Sequence, residues 1–363
     1  MSLATTGFFD NYTKMQRRIP VSVWWVARGL VLTFAAIIVV LLFAKPDLGK
    51  LLFWGLAIPV VPLVLVIAPG LWRQVCPMAL FNQLPRTFGF GLEKTLPEGL
   101  RKAAFAIAIA CFVGFVAIRW PLLNHSPVIA GCGILLAFAL AFIGGFVFKG
   151  RSGWCGTFCA LGPIQRVYGQ APGIVVPNGY CSTCVGCQKN CYDFNPRAAI
   201  FSDVYDEDPR YAGQRRLFMG ILPGLIIGYF AQDTNPAYGE GWRFALLLTS
   251  CCASAGLYGL LSAFLPLNGY RISAFFSAVA LALFYWWSGP TLVNTFGILA
   301  DFKPPAMALI VSQLIGLTGA LVLLFNGLLS ERRYAAARSA KDKPTEGTLP
   351  KIQAGLSDRK SVV

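Results

Sequence analysis

The chain has 363 residues, 56% of them hydrophobic and only 13% charged, with a mean hydropathy of +0.61, which excludes an ordinary soluble domain. Its net charge of +15 does not argue for nucleic acid, because the basic residues gather in loops on one side of apolar runs and in the tail. Its eleven Cys are not spaced as a secreted disulfide framework, and no cleaved signal peptide is expected, since some twenty polar and basic residues precede a long first apolar run.

The expected fold is an all-α polytopic membrane protein of about eight spans. Residues 1–20 carry Phe8, Phe9 and Tyr12 beside Lys14, Arg17 and Arg18, an interfacial cytoplasmic segment. Spans are expected at about 21–44, 51–68, 103–118 and 128–148, together forming a first membrane half, 21–149. Arg28 lies within the first and is expected to snorkel to the nearby headgroups. Pro59 and Pro62 soften the second span.

Residues 150–216 form the longest non-spanning segment. A second half, 217–330, carries spans at about 217–231, 244–265, 272–287 and 306–329, the third of these closing on the interfacial run Tyr285, Trp286 and Trp287. Residues 331–363 read as a disordered basic tail. With eight spans and both termini inside, only Lys45, Lys50, Arg119, Arg243 and Lys303 fall on the outer face; 31 basic residues less these five and Arg28 leaves 25 inside. This points to a bacterial inner membrane with both termini in the cytoplasm.

The chemistry lies in one stretch, Cys181-x2-Cys184-x2-Cys187-x3-Cys191, the spacing that wraps a cubane [4Fe-4S] cluster. Structural zinc and disulfides are the alternatives; zinc ordinarily uses two separated C-x2-C knuckles. Cys76, Cys155 and Cys159 fall on the same face, so seven thiols crowd one surface, one short of two complete cubanes. Either Cys191 closes the first cluster, or it joins Cys76, Cys155 and Cys159 on a second centre. Trp72-x3-Cys76-Pro77 and Cys155-x3-Cys159-Ala160 form a weak internal repeat, and if helical the second would place both thiols on one side. Cys111, Cys132, Cys251 and Cys252 lie within spans and read as packing residues. His125, the single histidine, excludes a bis-histidine haem within this chain.

Trp154-Cys155-Gly-Thr-Phe-Cys159, Cys76-Pro77 and the run Cys181 to Cys191, followed by Pro196-Arg-Ala-Ala-Ile200, resemble the membrane-bound ferredoxin-type family. That group includes the quinol dehydrogenase component of periplasmic nitrate reductase, the ferredoxin-like protein of methylamine utilisation and the regulator of nitrous oxide reductase. The resemblance covers residues 70–205. It implies a small cytoplasmic ferredoxin-like segment, cubane clusters, and electron exchange with quinone or a redox partner protein, as in an electron-transfer subunit of a quinol dehydrogenase. Arg28, Trp72 and Arg73 are the candidates near a quinone. Lys189, Arg197, Arg166 and the acidic patch Asp203, Asp206, Glu207 and Asp208 offer a docking face. A redox-dependent assembly or regulatory factor for a membrane metalloenzyme is the alternative function; a transporter is disfavoured.

Overall fold

The computed structural model describes residues 19–148, 154–155, 157–174, 176, 209–232 and 239–341. The Cys181–Cys191 run, the N-terminal segment to residue 18, the acidic patch 203–208 and residues 342–363 lie outside the described residues; the expected disordered tail, 331–363, instead begins as helix, for the last helix runs to Lys341 with Glu331 and Tyr334 buried. The described chain is built from helices, eleven in order: α1 (Val21–Ala44), α2 (Pro46–Ile67), α3 (Pro69–Val75), α4 (Pro77–Thr87), α5 (Glu98–Ile118), α6 (Pro127–Val147), α7 (Leu161–Tyr168), α8 (Pro209–Ala231), α9 (Glu240–Phe264), α10 (Gly269–Leu299) and α11 (Ala306–Lys341).

Seven of them are long and apolar enough to cross a membrane: α1, α2, α5 with its extension to Leu123, α6, α9, α10 and α11. The expected fifth span, 217–231, is the latter part of α8. Arg215 and Arg216 leave α8 an apolar stretch shorter than the roughly 20 residues of a span. What holds α8 is packing: Phe218, Leu222 and Leu225 are buried in the core shared with α5, α9 and α10. Gly224 lets it approach α9, since a Cβ there would collide with the Ser250 carbonyl.

Two spans depart from α-geometry beside prolines. In α2 a π-helical turn, Leu51–Ala57, precedes Pro59 and Pro62, and α5 continues as a second one, Arg119–Leu123, around Pro121. A proline ring crowds the preceding turn and removes a donor, and widening the turn accommodates both. A side chain of another span also ties in here: Tyr285 Oη of α10 donates to the Pro59 carbonyl at 2.7 Å.

α10 is longer than the expected 272–287, running through Pro290 to Leu299. Tyr285 is therefore a core residue, while Trp286 is exposed on the bundle surface. The carbonyl that Pro290 leaves without its helical donor is that of Trp286, and Gln313 Nε2 of α11 donates to it at 2.9 Å. Where α10 begins, Arg271 Nε donates to Glu331 Oε2 of α11 at 3.0 Å and Asn268 Nδ2 donates to Glu331 Oε1. Glu331 is buried at 2% exposed while Arg271 stays partly in the open, so the clasp is half-buried.

Candidate thiol site at the basic end of the bundle

The two repeat elements fold as short segments beside each other. α3 ends at Cys76, whose amide donates to the Trp72 carbonyl at 2.8 Å, and α4 begins at Pro77, fit for a first helical position because it has no N–H to lose. Cys76 is thus the cap of α4, and the Ala79 and Met78 amides favour its thiolate, although its side chain makes no cap hydrogen bond. Cys159 stands one residue before Ala160, the cap of α7, and the Leu161 and Gly162 amides favour its thiolate in the same way. In both copies the donors stand two and three residues after the sulfur, the geometry of a helix N-terminus receiving an anion.

Upstream the copies differ. Trp72 is in a regular helical turn, whereas the Trp154 carbonyl accepts from the Thr157, Phe158 and Cys159 amides together at 3.0–3.1 Å. Cys155 and Cys159 therefore do not share a helix face. Tertiary packing nonetheless joins the copies: the Ile174 amide donates to the Ile67 carbonyl at 2.7 Å, and Arg73 Nε donates to Gln165 Oε1 at 3.2 Å.

Cys76, Cys155 and Cys159 converge closely enough for their charges to interact. Burial pushes the Cys76 thiol from 9.0 up to about 12; the neighbouring Cys155 adds to this, and the Met78 and Ala79 amides and Arg73 oppose it. Burial raises Cys159 as well, helped by Cys155 and Cys76. Cys76 and Cys159 are only 6% and 7% exposed, so a thiolate there needs a compensating cation.

The donor set suits a soft metal or an iron-sulfur centre. Near the thiols in sequence, the indole N–H groups of Trp72 and Trp154 are buried without a hydrogen-bond partner among the described residues. The described thiols do not close such a site alone: among the described residues no three His, Cys, Asp or Glu stand near enough to hold a metal ion.

Arg28 does not snorkel. It is 2% exposed, donating from Nε to the Gln74 carbonyl at 2.6 Å and from Nη2 to Gln83 Oε1 at 2.9 Å. Two acceptors supplied by α3 and α4 replace the headgroups, so the span charge latches the Cys76 segment to α1. Sequence reasoning missed Gln74, Gln83 and Gln165; their signal was amide side chains recurring in otherwise apolar stretches around the Cys motifs.

Of the other cysteines, Cys251 packs against the core, while Cys111, Cys132 and Cys252 are on the exposed surface of the helices. His125 is exposed, its Nδ1 2.9 Å from the Trp120 carbonyl. No family model, curated protein or solved structure matches the chain.

Proposed function

We propose that the protein is an integral-membrane electron carrier in which cysteine thiolates hold iron-sulfur chemistry at the basic end of the helical bundle. The observation that carries this reading is the convergence of Cys76, Cys155 and Cys159, 79 positions apart at the nearest between copies, with backbone amides aimed at two of the sulfurs. Cys181, Cys184, Cys187 and Cys191, spaced for a [4Fe-4S] cluster, follow α7 in the sequence.

A cubane supplies single-electron transfer. The protein's own part is to hold thiolates, to stabilise their charge with the Met78, Ala79, Leu161 and Gly162 amides and with Arg73, and to exclude water by burial. Cys76, Cys155 and Cys159 would contribute ligands to a second centre only together with Cys191 or another thiol, since by themselves they do not close a metal site. The setting proposed is the bacterial inner membrane with this end cytoplasmic, exchanging electrons with quinone or a redox partner.

Iron and sulfide analysis of anaerobically purified protein, with low-temperature electron paramagnetic resonance after reduction, tests the reading. About four irons per chain means one cubane and about eight means two. Colourless, iron-free protein would overturn it. Reduction of the centre by a quinol would favour a carrier over an assembly factor.

A further inference from the structure

Where α9 turns into α10, two neighbouring helices bring arginines to the first turn of α10. Arg216 of α8 lies against that turn, since a Cβ added to Gly269 would meet its guanidinium at 3.5–3.7 Å. The same turn meets α11 through Asn268 and Arg271, which both bond Glu331, and Arg332 and Arg333 follow Glu331 directly. Arg216, Arg332 and Arg333 are all exposed.

Charge is not balanced at this corner. Glu331 is buried and taken up by Arg271 and Asn268, so its carboxylate is spent inside the clasp. Arg216, Arg332 and Arg333 make no ion pair among the described residues. Three guanidinium groups are left uncompensated, each a flat fork of N–H donors matched to phosphate oxygens.

The surface adjoining them is apolar. Leu217 follows Arg216 and is 57% exposed, and Phe264, at the end of α9, is 80% exposed. On α11 the apolar run ends at Leu329, also exposed, just before the arginines. An acidic protein would satisfy the charges and leave this hydrocarbon uncovered. A phospholipid offers an anionic head and apolar tails side by side, in the order this surface presents them.

We infer that this corner binds anionic phospholipid, the phosphate held by Arg216, Arg332 and Arg333 and the acyl chains lying along Leu217 and Phe264. No thiol takes part, so the inference stands apart from the iron-sulfur reading. A basic residue at an anionic lipid surface is worth about fivefold in affinity, so the three together are worth roughly a hundredfold.

The test is native mass spectrometry of the full-length protein in detergent, titrated with dioleoyl phosphatidylglycerol and, separately, with dioleoyl phosphatidylcholine. Wild type is compared with the triple variant Arg216→Gln, Arg332→Gln, Arg333→Gln. The control is Lys45→Gln with Lys303→Gln, two exposed charges at the other end of the bundle. A preference for phosphatidylglycerol that falls at least tenfold in the triple variant and is unchanged in the control supports the site. If the triple variant does not fold, Arg216→Gln alone takes its place, with about a fivefold loss expected. Equal binding of the two lipids by wild type, or an undiminished preference in the arginine variant, overturns the inference. So does displacement of the lipid by an equal concentration of inorganic phosphate, which would name a free anion, or of a polyglutamate peptide, which would name an acidic protein.

Discussion

The Cys76 and Cys159 segments reach one local geometry by different routes. Each places a buried sulfur at the start of a short helix, under the amides two and three positions on. The Cys76 copy has a proline at the next position and a helical turn before it; the Cys159 copy has Ala160 and a turn gathered on one carbonyl. The support also differs, since Arg28 fastens the Cys76 copy from within a span, while the basic residue of α7, Arg166, lies over the Phe105 ring at 4.8 Å. A helix N-terminus, which either segment can make, sets the sulfur's surroundings; the surrounding bundle decides how firmly each is fixed.

Titration is the broadest test of that equivalence. Both thiols are raised, so the folded, metal-free protein favours their neutral form. The stability this carries is complete below about 9 and is lost as pH rises toward about 12, the value for Cys76. The slope should approach roughly 1.4 kcal/mol per pH unit for each thiol. Rates of alkylation by a small maleimide, followed at each position by mass spectrometry in metal-free protein, should keep climbing past pH 9 at Cys76 and Cys159 alike. A plateau near pH 9 at either would show that its sulfur is not shielded as its partner is.

The difference in support predicts unequal mutants. Arg28→Met removes the charge but leaves the Gln74 carbonyl and the Gln83 amide buried without their donor, at a cost of about 3 kcal/mol. Arg166→Met gives up, among its contacts, a cation–π contact worth under about 1 kcal/mol at a partly exposed position, and a smaller loss than that of Arg28→Met is expected. Thermal unfolding of the two full-length variants in detergent measures both; similar losses would mean that the Cys76 copy is not the one latched to α1.

These residues also mark how far the sequence could be read. Long apolar runs announce their helices, because length and hydropathy suffice for α1, α2, α5, α6, α9, α10 and α11. α8 was legible as a helix but not as a buried one, since it lacks the apolar length and is held by glycines meeting α9. Arg28 was misread because snorkelling is a local argument. The acceptors that keep it inside, Gln74 and Gln83, lie 46 and 55 residues away, and nothing in a linear pattern brings them together. The closeness of Cys76 and Cys159 was visible only as a weak repeat, and the gathering of Arg216 and Glu331 around the start of α10 not at all, because α8 and α11 bring them from separate parts of the chain.

The smallest effect lies in the polar link between the copies. Arg73 and Gln165 join them through a partly buried bond of 3.2 Å, and Arg73 also lowers the Cys76 thiol against its burial. A double-mutant cycle of Arg73→Gln and Gln165→Leu should give a coupling of about 1 kcal/mol in unfolding. Arg73→Gln alone should also slow Cys76 alkylation, because its positive charge favours the thiolate, and Gln165→Leu should do so less. If Gln165→Leu slowed the reaction as much as Arg73→Gln, the charge would matter only where the glutamine holds it. The two copies would then form one electrostatic unit rather than two alike.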